Sequence, residues 1–245
     1  MRIHGGKEPE VIPPWRQITS NEKMGSTDKK TGLWLEELAA PYYILKEAGH
    51  EITLASPKGG ECPIDAASLG EGFYTPEAKK FKEGDADAWK SFCNTVKLSD
   101  VNMADFGAVF YPGGHGVLWD LVDSAESIKI LESAAKDNKP MALVCHGPAA
   151  LKNVKGPGGE SVVKGKKVVL SCALNFGTIH EHKAMKNLDR KYKKLDGKKA
   201  PGTGTDLSET QVAVFSNVEE DQVQLTSVVP FLLEDECKAQ GAVVS

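Results

Sequence analysis

The 245-residue sequence lacks the long apolar segments that anchor or export proteins. No apolar run approaches the ~20 residues of a membrane-spanning helix. The amino-terminal segment has no apolar core of about 7–15 residues, which a secretory signal requires. Basic residues are not in excess either, because the chain has 30 basic and 34 acidic residues and a net charge of −4. A nucleic-acid partner has no electrostatic support, and we expect a cytoplasmic protein without a membrane partner.

Cysteine is scarce, and its spacing does not suggest a disulfide framework. The chain has five cysteines, an odd number, and no Cys-x-x-Cys pair. This usage predicts reduced thiols, as in the cytosol. Free cysteines are most often small buried side chains. We expect that role for four of them: Cys62, Cys93, Cys172 and Cys237.

The fifth cysteine, Cys145, lies in the sequence Val-Cys-His-Gly-Pro over 144–148, directly after a short apolar run. Such a run predicts a buried strand, and Gly147 and Pro148 suit a sharp turn into a helix. This is the strand-to-helix corner of a nucleophile elbow. The positive end of the helix would favour the thiolate, and His146 would supply a second cation or a proton carrier. The corner indicates a cysteine-dependent enzyme.

Helices and strands are predicted to alternate along the chain. Residues 32–48 predict an amphipathic helix that contains Pro41 and stops at Gly49. Short helices are predicted near 76–81 and 85–94, and longer ones over 125–136 and about 221–239. Strands are predicted over 52–55, 106–111, 140–145, 161–170 and 211–215. This order predicts one α/β domain over 1–245, with a mostly parallel sheet, helices on both faces and the active site at the carboxyl ends of the strands.

Two segments depart from that pattern. Residues 1–18 contain Pro13-Pro14 and show no apolar strand pattern, so we expect an irregular amino terminus. Residues 171–210 are rich in lysine and predict a solvated insertion rather than a phosphate or nucleic-acid patch. His180 and His182 alternate there and could chelate a metal, but no third ligand is in view and exposed histidines are the favoured interpretation.

Four motifs together resemble the ThiJ/PfpI superfamily, whose fold is flavodoxin-like and similar to that of class I glutamine amidotransferases. They are Thr-Gly-Leu-Trp-Leu-Glu-Glu at 31–37, Pro-Gly-Gly-His-Gly at 112–116, Ala-Leu-Val-Cys-His-Gly-Pro at 142–148 and Phe-Ser-Asn-Val-Glu-Glu at 215–220. The cysteine corner is typical of the superfamily. The first and last motifs indicate its glyoxalase III branch, which contains glutathione-independent glyoxalases also described as heat-shock-induced chaperones.

The resemblance implies a role for each matching residue. Cys145 is implied as the nucleophile, His146 as its proton partner and Glu220 as the acid that orients the histidine. Glu37, rather than Glu36, falls on the acidic position of the family. The backbone amides of Gly114 and His146 are implied as the oxyanion corner, and the implied substrate or oxyanion residues are Gly113, Gly114 and His115.

The implied activity is the conversion of methylglyoxal, a small reactive dicarbonyl, to D-lactate. It requires neither a cofactor nor a metal, and the family implies a homodimer. A stress-related holdase chaperone without catalysis, and a cysteine peptidase or amidase, stay open as alternatives. The family would place an apolar central strand where Pro13 to Ile18 stands, and would add a strand and a helix after Ser245. A truncated or alternatively spliced product, or a faulty gene model, would account for these departures.

Overall fold

The computed structural model describes residues 14–171 and 212–244. Its strands are β1 (Pro14–Gln17), β2 (Thr53–Ser56), β3 (Val96–Lys97), β4 (Ala108–Tyr111), β5 (Met141–Leu143), β6 (Lys167–Ser171), β7 (Val212–Phe215) and β8 (Val243–Val244). Its helices are α1 (Leu35–Glu47), α2 (Pro76–Lys79), α3 (Ala86–Cys93), α4 (Val117–Asp120), α5 (Ala125–Lys136), α6 (Asn217–Gln222) and α7 (Leu233–Ala239). No helix within these described ranges has the length and apolarity to cross a bilayer.

Five parallel strands form the main sheet in the order β3-β2-β1-β4-β5. Successive side chains of a strand point to opposite faces, and β4 shows the consequence. Ala108 and Phe110 pack with Leu45 of α1, whereas Val109 and Tyr111 pack in a separate cluster with helix α5. Helices therefore cover both faces of a parallel sheet, which confirms the predicted fold class. A second parallel sheet has the order β7-β6-β8.

The centre of the main sheet is β1, and the prediction of an irregular segment over 1–18 is wrong for residues 14–17. Strand β1 pairs in parallel with both β2 and β4. Pro14 begins the strand, a position where a missing N–H is tolerated. Arg16, although polar, lies fully buried, because its guanidinium donates to the carbonyl oxygens of Leu38 (3.3 Å) and Pro41 (2.5 Å) in α1. Residues 1–13 lie outside the described residues.

The prediction of one carboxyl-terminal helix over 221–239 is wrong in extent, because the structure has two helices, α6 and α7, in this part of the chain. The capping box of Ser216 and Glu219 starts α6 at Asn217, before the apolar pattern begins. Pro230 lies between α6 and α7, where its ring and missing N–H oppose a continuous helix. The helix predicted over 125–136 is confirmed at both ends, with Ser124 as its cap. The predicted insertion over 171–210, with His180 and His182, lies outside the described residues apart from Ser171.

Candidate active site

Cys145 occupies a sharp corner directly after β5. Its φ of +55° is a left-handed conformation that few residues other than glycine adopt. The Gly147 N–H donates to the Val144 carbonyl at 2.7 Å, and a 3₁₀ helix over Gly147–Leu151 follows. A side chain at position 147 would meet the Tyr111 carbonyl oxygen at 2.4 Å, so only glycine lets the chain turn there. The predicted elbow is present, and a 3₁₀ helix follows it in place of an α-helix.

Groups from three parts of the chain surround the Cys145 sulfur, which is almost fully buried. The Nδ1 of His146 lies 3.3 Å from Sγ. The backbone N–H groups of Gly114 and His146 donate toward the sulfur, and the thiol in turn hydrogen-bonds with the carboxyl group of Glu37. The structure thus brings together a thiol, an imidazole, a carboxyl group and two amides that the motifs predicted as one constellation.

Two consecutive glycines allow this close packing. A Cβ atom on Gly113 would lie 2.7 Å from both Cys145 Cβ and Glu37 Oε2. The Gly113 N–H donates to the same Glu37 oxygen at 2.6 Å. Gly113 was predicted as a substrate or oxyanion residue, and in the structure its amide holds the Glu37 carboxyl group beside the sulfur. The Gly114 amide, which was predicted for the oxyanion corner together with that of His146, donates toward the Cys145 sulfur.

Gly114 is the residue whose replacement the site tolerates least. Its φ is +91°, and a Cβ there would lie 2.1 Å from the Gly32 carbonyl oxygen. We expect Gly114→Ala to lower the free energy of unfolding by about 2 kcal/mol or more, because backbone strain and a backbone clash add. Urea unfolding monitored by circular dichroism measures this. Gly72→Ala, at φ +85° with open space around it, is the control for strain alone, and equal losses in the two variants would contradict the account.

The two adjacent acids of α1 differ in what they face. Glu36 accepts hydrogen bonds from the Thr75 hydroxyl and the Ala78 N–H at the start of α2, away from the cysteine. Glu37 faces the sulfur. Burial raises the pKa of Glu37 to about 7, although hydrogen bonds from Gly113 and Cys145 oppose the shift. The choice of Glu37 over Glu36 therefore agrees with the geometry, and near neutral pH this carboxyl group exists in both forms.

The thiol of Cys145 is protonated in the resting site. Burial raises its pKa well above the ordinary value, the negative charge of Glu37 raises it further, and the two backbone amides oppose the shift only in part. The expectation that the helix end would favour the thiolate is wrong in this respect. A short 3₁₀ helix cannot offset the loss of solvent and a neighbouring carboxylate.

The carboxylate of Glu220 hydrogen-bonds with two histidines, one at each oxygen. His115 Nε2 lies 2.9 Å from Oε1 and His146 Nε2 lies 2.9 Å from Oε2, with the two ring centroids 4.0 Å apart. Burial would raise the pKa of Glu220, but hydrogen bonds from both imidazoles outweigh it and lower the pKa to about 2. Burial lowers the pKa of His146 to about 4, and His115 adds to this effect.

These pKa shifts fix the proton positions at neutral pH. Glu220 is ionised and can only accept, so each facing Nε2 must carry a hydrogen. The neutral His146 ring then presents its unprotonated Nδ1 to the thiol, which makes it a proton acceptor rather than a second cation. Sequence reasoning missed the second histidine on Glu220. The only signal for it was the position of His115 in a glycine turn beside the other motifs.

Within the described part of the chain, these same three side chains form a group that could hold a metal ion. Ligand atoms of His115, His146 and Glu220 all lie within 4.8 Å of one another, and all three residues are buried. Each of the two ring Nε2 atoms hydrogen-bonds with one oxygen of the Glu220 carboxylate.

Comparison with known proteins agrees with the site and the fold. The chain is 33% identical over 142 residues to a glutathione-independent glyoxalase of Schizosaccharomyces pombe, across 56% of this chain and 58% of that protein. It is 33% identical over 150 residues to glyoxalase 3 of Candida albicans, across 60% of this chain and 63% of that protein. The matches thus span about three fifths of the length of these curated relatives.

A solved structure extends the likeness to most of the chain. The Rapid Encystment Protein 24 KDa of Francisella tularensis shares 30% identity at a TM-score of 0.73, over 95% of this chain and 83% of that one. The family model described as DJ-1/PfpI matches residues 31–175, which include helix α1, the Pro-Gly-Gly-His-Gly motif and the Cys145 corner. These findings confirm the resemblance stated from the motifs: this chain belongs to the DJ-1/PfpI family.

Proposed function

We propose that the protein is a glutathione-independent glyoxalase that converts methylglyoxal to D-lactate. One observation carries the proposal: a buried carboxyl group, that of Glu37, contacts the sulfur of Cys145 and has a pKa of about 7. A group with that pKa can both remove and return a proton at neutral pH. The names of the two curated relatives support the same substrate class.

The first step is the addition of Cys145 to the aldehyde carbon of methylglyoxal. The thiol proton passes to the Nδ1 of His146 as the new carbon–sulfur bond forms, and the aldehyde oxygen becomes the oxygen of a hemithioacetal. That oxygen is attached to the carbon bonded to Sγ. The Gly114 and His146 amides, which already point at the sulfur, would stabilise its negative charge. Glu220 holds the imidazole in the tautomer that accepts the proton.

The second step is an internal redox change that needs no external oxidant. Glu37 removes the proton from the former aldehyde carbon while His146 returns the thiol proton to the former ketone oxygen, which gives an enediolate. Glu37 then delivers its proton to the former ketone carbon. The first carbon is oxidised to a thioester while the second is reduced to an alcohol. Water then cleaves the thioester, with His146 as general base, and releases lactate and the free thiol.

The pH dependence of turnover follows from the role of Glu37 as a base. The carboxyl group must be ionised to take the proton, so kcat/KM should rise with pH along one limb with an apparent pKa of about 7. His146 is neutral across this range because its pKa lies near 4. Burial also raises the pKa of Glu36 to about 7, so the Glu36→Gln variant is the control and should keep the limb. A flat profile between pH 5 and 8 would contradict the assignment.

A lactate assay on the purified protein tests the proposed function. We expect the unmodified chain to form lactate from methylglyoxal without glutathione, and a stereospecific lactate dehydrogenase to identify the D form. Cys145→Ala should abolish product, whereas Cys93→Ala, which removes another free thiol, should not. Lactate formation that survives Cys145→Ala would overturn the proposal. Suppressed client aggregation without any lactate would favour the chaperone alternative.

A further inference from the structure

We propose that His115, His146 and Glu220 form a binding site for Zn²⁺, and that zinc in this site switches the proposed enzyme off. The proposal concerns a reversible inhibitory ion, distinct from any cofactor of the reaction. Its activity consequence rests on the proposed function, but binding itself can be measured independently of activity.

The ligand set suits zinc. Two imidazoles and one glutamate are the donors of one common catalytic zinc arrangement, which leaves a fourth position for water. The Nε2 atoms of His115 and His146 each lie 2.9 Å from a Glu220 oxygen, and all three ligand atoms fall within 4.8 Å of one another. Ligand atoms around a tetrahedral zinc ion lie about 3.3 Å apart, given bonds of about 2.0 Å. Short side-chain displacements would therefore replace the two hydrogen bonds by three metal bonds.

The charges and the access to the site also suit a cation. Glu220 presents a carboxylate that already contacts both imidazole rings, so a divalent cation would meet one anionic and two nitrogen ligands at the same place. The His115 side chain is 11% exposed, whereas those of His146 and Glu220 are almost fully enclosed. An ion would therefore approach from the side of His115.

Zinc on the Nε2 of His146 would reverse the function of that ring. A metal bond uses the Nε2 lone pair, so the proton of the neutral ring must move to Nδ1. The Nδ1–H would then donate to the Cys145 sulfur at the contact where it now accepts, 3.3 Å away. The His146 ring keeps its one proton and only changes the nitrogen that carries it, so the exchange is balanced. The thiol loses its proton acceptor, and the addition step stops.

The test must separate this site from two others that could take zinc. One is the Cys145 sulfur itself, and the other is the His180 and His182 pair, which lies outside the described residues. We would titrate Zn²⁺ into the full chain carrying Cys145→Ser, with and without His180→Asn and His182→Asn, by isothermal calorimetry. We expect one tight zinc ion per chain in both proteins. Adding His115→Asn to the triple variant should weaken binding at least 10-fold.

Three results would overturn the proposal. The first is that Cys145→Ser no longer binds zinc tightly. The second is that tight zinc binding disappears when His180→Asn and His182→Asn are added. The third is that His115→Asn leaves the zinc affinity unchanged. Because His115→Asn could fail to fold, Co²⁺ added to the unsubstituted protein gives a second reading. Tetrahedral nitrogen and oxygen ligation should produce visible bands without a sulfur-to-cobalt charge-transfer band, and the presence of that band would place the ion on Cys145 instead. If no lactate is formed under any condition, the proposed function fails while the binding result stands.

Discussion

Glu37→Gln should lower kcat for lactate formation by about 10³-fold, within the range measured for removal of a general base. Glutamine keeps the shape of the side chain and still accepts from the Gly113 N–H, which lies 2.6 Å from Glu37 Oε2. It cannot take a proton from carbon. The hemithioacetal should therefore form on Cys145 and fail to isomerise. Steady-state lactate assays measure the loss, and intact-protein mass spectrometry shows the stalled adduct.

Glu36→Gln is the matched control for this variant. Glu36 is its immediate neighbour, is equally buried and has a similarly raised pKa, but it hydrogen-bonds with Thr75 rather than with the cysteine. Turnover should stay largely intact in Glu36→Gln. Comparable losses in the two variants would show that burial of acids in α1, rather than the contact with the sulfur, governs activity.

Arg16→Met should raise the free energy of unfolding by about 2 kcal/mol, because replacing a buried charge with an apolar side chain of similar length is often stabilising. Arg16 is fully buried in the central strand, and burial lowers its pKa to about 9. Among residues 14–171 and 212–244 no acidic side chain forms an ion pair with it, and its Nε has no hydrogen-bond partner there. Two carbonyl oxygens and the face of the Phe110 ring lie against the charge.

Arg16→Lys is the control for Arg16→Met. Lysine keeps the charge and loses the forked geometry that reaches both carbonyls, so we expect it to destabilise the protein. Urea unfolding of the three proteins at neutral pH gives the comparison. A lower stability for Arg16→Met than for the unsubstituted protein would mean that the guanidinium contacts outweigh its desolvation, contrary to the account.

The elements that the sequence predicts well are those whose signals are local. Helix α5 is bounded by a serine cap and has a strong apolar periodicity, and its predicted ends are correct. The Cys145 corner is also local, because the glycine and proline that make it follow the cysteine directly. Strand β1 was missed since its pattern is polar, and only its pairing with β2 and β4 makes it a strand.

The constellation of the site could be predicted only in part. The motifs identified which acid of α1 faces the cysteine, whereas periodicity alone could not separate Glu36 from Glu37. The protonated thiol was not predicted, because the raised pKa arises from burial and from a carboxyl group more than 100 residues away in the chain. The contact of Glu220 with two histidines depends on how α6 packs against the glycine turn at 112–116. No local sequence pattern encodes that packing.

The most direct test of the central claim is the rate of lactate formation in thiol-free buffer. The purified protein, dialysed free of small thiols, would be given methylglyoxal with and without added glutathione. Because Cys145 itself supplies the sulfur that forms the hemithioacetal, we predict the same rate in both conditions. Lactate that appears only after glutathione is added would show that the sulfur comes from outside the protein and would contradict the account.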